Sequence, residues 1–227
     1  MAPKLKFGFL AALVLGASSA FAGTIFSTTG DGVGYVGFGT TTTDGHQGFE
    51  YGDEILMPTA GYVFTGLNFN YFAQAAGGTA TLSIYDNAGG TLINGVARPN
   101  TLLLSAINIP ILSGNNMASV NYGGGDLILP ERFTYTVSFA GNTGVGLSVG
   151  GSTDTTGRPH ENVGTGFADY WQRTGAGADD WALNQVTGSY GNFKVTVTAN
   201  VPEPTTVALG VVGAAVLVGS AFRRNRR

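Results

Sequence analysis

Cysteine is absent from the 227 residues, so no disulfide staples the chain and core packing has to carry its stability. Histidine is nearly absent as well, with only His46 and His160. Two imidazoles with no thiolate and no H-E-x-x-H spacing exclude the usual zinc centres. Basic residues are scarce and lie mostly at the ends. Of the 11 Lys and Arg, Lys4, Lys6 and the four arginines after Phe222 are terminal, which leaves Arg98, Arg132, Arg158, Arg173 and Lys194 against 13 acidic residues between positions 23 and 200. That central segment carries a net charge of −8, hidden by the −3 of the whole chain. Such a surface repels phosphate, and nucleic acid is not an expected partner. Helical periodicity is also missing between the ends, which argues against a bundle.

Glycine occupies 37 positions, a level that disordered chains share. The 14 Phe, 9 Tyr and 2 Trp supply far more apolar surface than a disordered chain holds, and point to a packed core. Period-two alternation recurs. Val63, Leu67, Phe69 and Tyr71 share one face; Ala80, Leu82 and Ile84 share another; Phe133, Tyr135, Val137 and Phe139 alternate with Thr134, Thr136 and Ser138. Val145, Leu147 and Val149, then Phe193, Val195 and Val197, repeat the pattern, and Thr101 to Ile109 reads as a more apolar strand. Turn chemistry separates these runs at residues 86–90, 113–116, 123–126 and 141–144. With Thr24 to Thr28, Tyr35 to Gly39 and Leu127 to Leu129, eight or more strands are expected. The predicted fold class is all-β: an antiparallel β-sandwich, jelly-roll-like in preference to immunoglobulin-like, with a closed barrel as the runner-up.

The two ends lie outside that fold. Lys4 and Lys6 precede an apolar run from Phe7 to Ala17, and Ala20-Phe21-Ala22 forms an A-x-A site ahead of Gly23. This is the pattern of a secretory signal peptide over residues 1–22, removed by signal peptidase. At the other end Pro202-Glu203-Pro204 is followed by 18 uncharged residues, Thr205 to Phe222, and by Arg223-Arg224-Asn225-Arg226-Arg227. At ~1.5 Å per residue the uncharged stretch makes a helix of roughly 27 Å, enough for a bilayer core, with the arginines on the cytoplasmic side. Motif, span and basic end together resemble the PEP-CTERM sorting signal of exported bacterial proteins. The resemblance covers residues 201–227 and implies that an exosortase, an integral-membrane cysteine protease-transpeptidase, recognises the motif and removes the helix. It also implies a setting of exopolysaccharide-producing bacteria, with the protein anchored transiently and then released to the cell surface or matrix. A permanent single-span anchor is the plainer reading of the same helix. The segments Leu129 to Val137 and Asp169 to Trp171 are loosely similar to exported sandwich domains that precede such tails, which mostly lack an assigned activity.

Within residues 23–200 the search for chemistry starts with Gly146-Leu147-Ser148-Val149-Gly150, a G-x-S-x-G match followed by Asp154 and His160. A nucleophile elbow needs a strand, a strained turn and a helix. Here Ser148 is expected to face outward from an alternating strand, with a loop behind it, so a serine hydrolase is a remote alternative and no catalytic residue is assigned. No metal site is assigned either. Calcium is the ion best suited to the loop acids Asp31, Asp44, Glu50, Asp53, Glu54, Asp179 and Asp180, though no D-x-D-x-D-G ladder organises them. The remaining feature is aromatic. Tyr170, Trp171 and Trp181 stand among glycines in an expected loop, where flat rings beside polar groups are candidate glycan contacts. Packing that closes one end of the sandwich is the commoner use of such rings. Two functions stay open: a structural or adhesive surface protein without catalysis, and a carbohydrate-binding module contacting exopolysaccharide.

Overall fold

The structure is a computed structural model that describes residues 22–28, 34–37, 50–142, 144–151, 169–173, 175, 177, 180–185 and 191–200. Among these residues it is all-β, with every strand pair antiparallel. The strands are β1 Ala22–Ser27, β2 Gly34–Gly37, β3 Glu50–Leu56, β4 Tyr62–Ala73, β5 Thr79–Asp86, β6 Leu92–Ile93, β7 Val96–Ala97 and β8 Thr101–Pro110. The second half holds β9 Gly114–Asn121, β10 Ile128–Leu129, β11 Arg132–Ala140, β12 Val145–Gly151, β13 Asp169–Arg173, β14 Trp181–Gln185, β15 Gly191–Phe193 and β16 Val195–Asn200.

The pairing is nested. The hairpin β6·β7 lies at the centre of the sequence, and around it β5 pairs β8, β4 pairs β9, β3 pairs β11, β2 pairs β12 and β1 pairs β16. The chain is thus one long folded-back ribbon whose rungs alternate between two sheets from β5·β8 out to β2·β12, while β1·β16 lies in the same sheet as β2·β12. The first is ordered β1-β16-β4-β12-β15, with β9 and β10 also on β4 and β2 on β12; the second is β14-β13-β3-β11-β5-β8. Long β4 organises the first sheet. One of its flanks holds β9 and β10, while the other is shared end to end by β16 and β12.

The sheets share one hydrophobic core, as a sandwich requires. Leu67, Phe69 and Tyr71 of β4, Leu147 of β12 and Val197 of β16 meet Ile55 of β3, Leu82 and Ile84 of β5 and Phe133, Tyr135 and Val137 of β11, all buried. Each such side chain contributes about 1.5–3 kcal/mol on burial. The alternation expected from the sequence holds across β5, β11 and β16. In β4 it breaks at a bulge: Thr198 pairs Gly66 but Ala199 pairs Phe64. One extra residue flips every side chain beyond it to the opposite face, so Tyr62 and Phe64 are buried while Val63, expected on the face of Leu67, is not.

Four strands run where the sequence suggested loops or turns. Asn115 and Asn116, read as a turn, lie inside β9, and Glu50, Asp53 and Glu54, read as loop acids, lie on β3 near the middle of the second sheet. The aromatic loop is the hairpin β13·β14, with Trp171 opposite Leu183 and Arg173 opposite Trp181.

Candidate functional site on the outer face of the second sheet

Along β3, Tyr51 and Ile55 enter the core, which turns Glu50, Gly52 and Glu54 to the outer face. Gly52 is the pivot. Its neighbours across the sheet are Thr136 on β11 and Trp171 on β13. A Cβ at Gly52 would collide with the Tyr135 carbonyl oxygen and the Thr136 Cα, backbone atoms that cannot step aside. Glycine is what lets the three strands approach.

A second hydrophobic cluster forms here from Tyr85, Trp171 and Trp181, with Ile93, Val96 and Leu183 packed against it. Ile93 and Val96 belong to β6 and β7, so the central hairpin of the sequence covers this face. Trp171 has no exposed surface and Trp181 is 7% exposed. Tyr85 meets Trp181 edge-on at 5.5 Å and 78°, and the Arg173 guanidinium lies 5.7 Å from the Trp181 ring centre. Tyr170, one residue away on a strand, points to the other side. Its ring packs edge-on against Phe193 at 5.5 Å and tilted against Tyr51 at 6.3 Å, at the margin of the main core. The three candidate glycan contacts therefore form no common platform, and neither indole offers a face on which a sugar could stack.

The carboxylates beside this cluster are held in two different ways. Glu50 is well satisfied. Tyr85 OH and Thr136 Oγ1 donate to its Oε2 at 2.7 and 3.1 Å, and Arg173 Nη1 donates to Oε1 at 3.3 Å. Burial first, and then the same carboxylate, push the Tyr85 hydroxyl well above its ordinary value. Glu54 is not satisfied. Its side chain is 1% exposed, its Oε1 lies 3.0 Å from Arg132 Nη1, and neither oxygen makes a hydrogen bond of good geometry. Burial pushes the carboxyl up to about 7; Arg132 opposes the rise, Asp169 adds to it, and the Trp171 indole N–H opposes it weakly. That N–H is itself buried without a well-aligned acceptor. Chemically the assembly is a clamp between β3, β11, β13 and β5, in which Arg173 pairs with Glu50 and Arg132 lies against the buried Glu54.

The other candidates fall elsewhere. Ser148, expected to face outward on its strand, is buried at 8% exposure, and its carbonyl accepts the Lys194 N–H at 2.8 Å. A sheet neighbour lies on either side of β12, because β2 and then β15 pair with it. Asp154 and His160 lie outside the described residues. Among the described residues no three of His, Asp and Glu converge as a metal site. Asp53 is fully buried and sits across from Tyr135, while Asp180 Oδ2 accepts the Gly177 N–H at 2.7 Å; Asp31, Asp44 and Asp179 lie outside the described residues. So do Ala20, the sorting motif Pro202, Glu203 and Pro204, and the apolar tail. Ala22 and Gly23 are described, in β1, opposite Asn200 and Ala199. The Glu50–Arg173 and Glu54–Arg132 pairs escaped sequence reading because three acids in the five residues Glu50-Tyr51-Gly52-Asp53-Glu54 suggest a solvated loop; the one available signal was the even spacing of Glu50 and Glu54. No family model, curated protein or solved structure matches the chain.

Proposed function

We propose that the chain is an exported protein of the cell surface or extracellular matrix. In this reading residues 23–200 form a non-catalytic structural or adhesive domain of jelly-roll type. Residues 1–22 direct export, and residues 201–227 form a sorting tail processed by an exosortase-type transpeptidase. The observation that carries the reading is the pairing of β1 with β16, with Gly23 opposite Ala199 and Thr24 opposite Thr198. The first and last strands of the domain lie side by side, and their outer ends lie at the signal-peptide boundary and beside the sorting tail read from the sequence. Removal of residues 1–22 would take only Ala22 from β1, and a cut beyond Asn200 would leave β16 whole.

The nested rungs also support the jelly roll, which is a long antiparallel ribbon rolled so that its strand pairs alternate between two sheets. The orders β2-β12-β4-β9 and β3-β11-β5-β8 fit that scheme. Glu50, held by Tyr85, Thr136 and Arg173, supports a structural role for the clamp. The carbohydrate-binding alternative draws no support from Tyr170, Trp171 or Trp181, whose rings are occupied in packing. Replacing Glu203 and Pro204 together by Ala, with a tag placed before Val201, tests the sorting step. The double variant is expected to stay in the cytoplasmic membrane at full C-terminal length while the wild type is shortened and released. An unprocessed wild type in a host that carries an exosortase would replace this reading with a permanent anchor.

A further inference from the structure

Among the described residues strand β9 is an outer strand of the first sheet, and it is long, with no charge, bulge or proline in it. Natural sheets blunt their edges with charge, bulges, proline or short length, because a regular unpaired edge is a template for another strand. The remaining long edge, β8, is interrupted twice against β5, between Ala80 and Leu82 and between Ile84 and Tyr85, and its Asn108 sits at φ 67°. β1 is interrupted between Thr24 and Phe26, and β14 has only five residues. β9 keeps an unbroken register with β4 over eight residues, from Gly114 opposite Ala73 to Asn121 opposite Gly66.

The direction of its main-chain groups follows from the ladder. On the far flank of β4 the Asn70 N–H bonds the Lys194 carbonyl at 2.9 Å, so by alternation Leu67, Phe69 and Tyr71 turn toward β9 and bond Val120, Ala118 and Asn116. The intervening residues Met117, Ser119 and Asn121 aim their N–H and C=O groups away from the sheet. Among the described residues no strand lies on that side. Their side chains point to solvent, Met117 with 61% exposure.

Charge then selects the occupant. Between Arg98 and Asp126 the sequence holds no Asp, Glu, Lys, Arg or His. The domain as a whole is acidic, at −8, so two copies repel across most of their surfaces. This neutral edge is where they meet without that cost. An antiparallel strand is also self-complementary about a two-fold axis, as a symmetric dimer requires.

We propose that β9 is a homotypic interface, pairing antiparallel with β9 of a second copy so that the first sheets of two molecules become one continuous sheet. The axis passes through Ala118, which sets Met117 opposite Ser119 of the partner and Ser119 opposite the partner's Met117, each pair exchanging two main-chain hydrogen bonds. This register puts the axis near the middle of β9.

The absence of cysteine makes the register directly testable in the full-length chain, purified in detergent. Met117→Cys and Ser119→Cys each carry one thiol, and directly opposed residues fall within the Cα spacing a disulfide accepts. Mild oxidation of the two variants mixed should give a disulfide dimer in clear excess over either variant alone, and over Leu92→Cys, a control thiol at an exposed position of the β6·β7 hairpin. Light scattering on the Cys-free chain provides the second measurement. Met117→Lys adds a charge to the edge, and Ser119→Pro removes an outward donor without touching the β4 ladder. Both should weaken dimerisation at least about tenfold and leave the melting temperature nearly unchanged. A monomer at every concentration would overturn the proposal. So would a dimer indifferent to both edge substitutions, which would place the association in the tail, or equal cross-linking through Leu92→Cys. Failure of the sorting reading leaves this result untouched, since neither measurement depends on processing.

Discussion

At the scale of single residues, burial decides the roles of the two tryptophans and of Glu54. Trp171 is fully enclosed, so Trp171→Ala should cost on the order of 3–5 kcal/mol and lower the melting temperature sharply. Acrylamide should quench the folded wild type weakly, since both indoles are buried. An accessible Trp with an unchanged melting temperature in the variant would restore the stacking platform. Glu54 makes a pH prediction whose sign follows from linkage. Its carboxyl is raised from the ordinary 4.5 to about 7, so the folded state holds the proton more tightly than the unfolded chain. The stabilisation from this group is present below about pH 4.5 and is lost as pH rises toward about 7. Asp169, also raised by burial, adds in the same direction. Glu54→Gln should therefore match the wild type in acid and gain on it steadily toward about pH 8, as melting temperatures across that range would reveal. A constant difference between the two proteins would mean that Arg132 keeps Glu54 ionised throughout.

Among the elements, β3 and the β6·β7 hairpin matter most. β3 is flanked by β11 and β13 and carries acids on both faces, and its centre tolerates no side chain. Gly52→Ala forces a Cβ into the Tyr135 and Thr136 backbone, so the variant should fail to accumulate as a folded protein, or lose at least about 3 kcal/mol in urea unfolding. Ser113→Ala, in the exposed turn before β9, is a matched control expected to stay within about 0.5 kcal/mol. The hairpin covers the Trp171 and Trp181 cluster with Ile93 and Val96. Replacing both by Ser should shift Trp emission to the red and raise acrylamide quenching while the main core, built from other residues, stays folded. Loss of all tertiary structure in that variant would mean that the two clusters unfold as one unit.

For the whole molecule the nested ribbon sets the kinetics. Its outer rungs join residues far apart in sequence, such as Ser27 and Thr196, whose hydroxyl oxygens lie 3.1 Å apart across 169 positions. Loop closure of this kind must precede the contacts that reward it, which makes non-local β topologies slow. Refolding from denaturant should run on the order of 1 s⁻¹ or slower, and substitutions in β1 or β16 should chiefly accelerate unfolding. Stopped-flow fluorescence of the two tryptophans measures both arms. Slowed refolding on weakening of the β1·β16 rung would place closure of the ribbon early and contradict this order.

The composition and alternation of the chain determined its class. Without cysteine or helical periodicity, and with period-two runs such as Ala80, Leu82, Ile84 and Phe133, Tyr135, Val137, Phe139, it could bury its aromatics only in antiparallel strands. The interior of β4 shows where local pattern stops: the bulge opposite Thr198 reversed the face of Val63, and no local signal marks where an extra residue will be accommodated. β3 and β13 were hidden for a related reason. Acids and glycines beside aromatics look solvated when read along the chain, and become buried only when Arg132 and Arg173 arrive from distant strands to neutralise them. Whether Trp171 is a platform or a core residue was settled by what covers it, and the covering hairpin lies more than seventy positions earlier in sequence. Alternation within a strand is a local property set by backbone geometry; burial of a polar or aromatic face is a property of pairs of strands, and only the tertiary structure brings those pairs together.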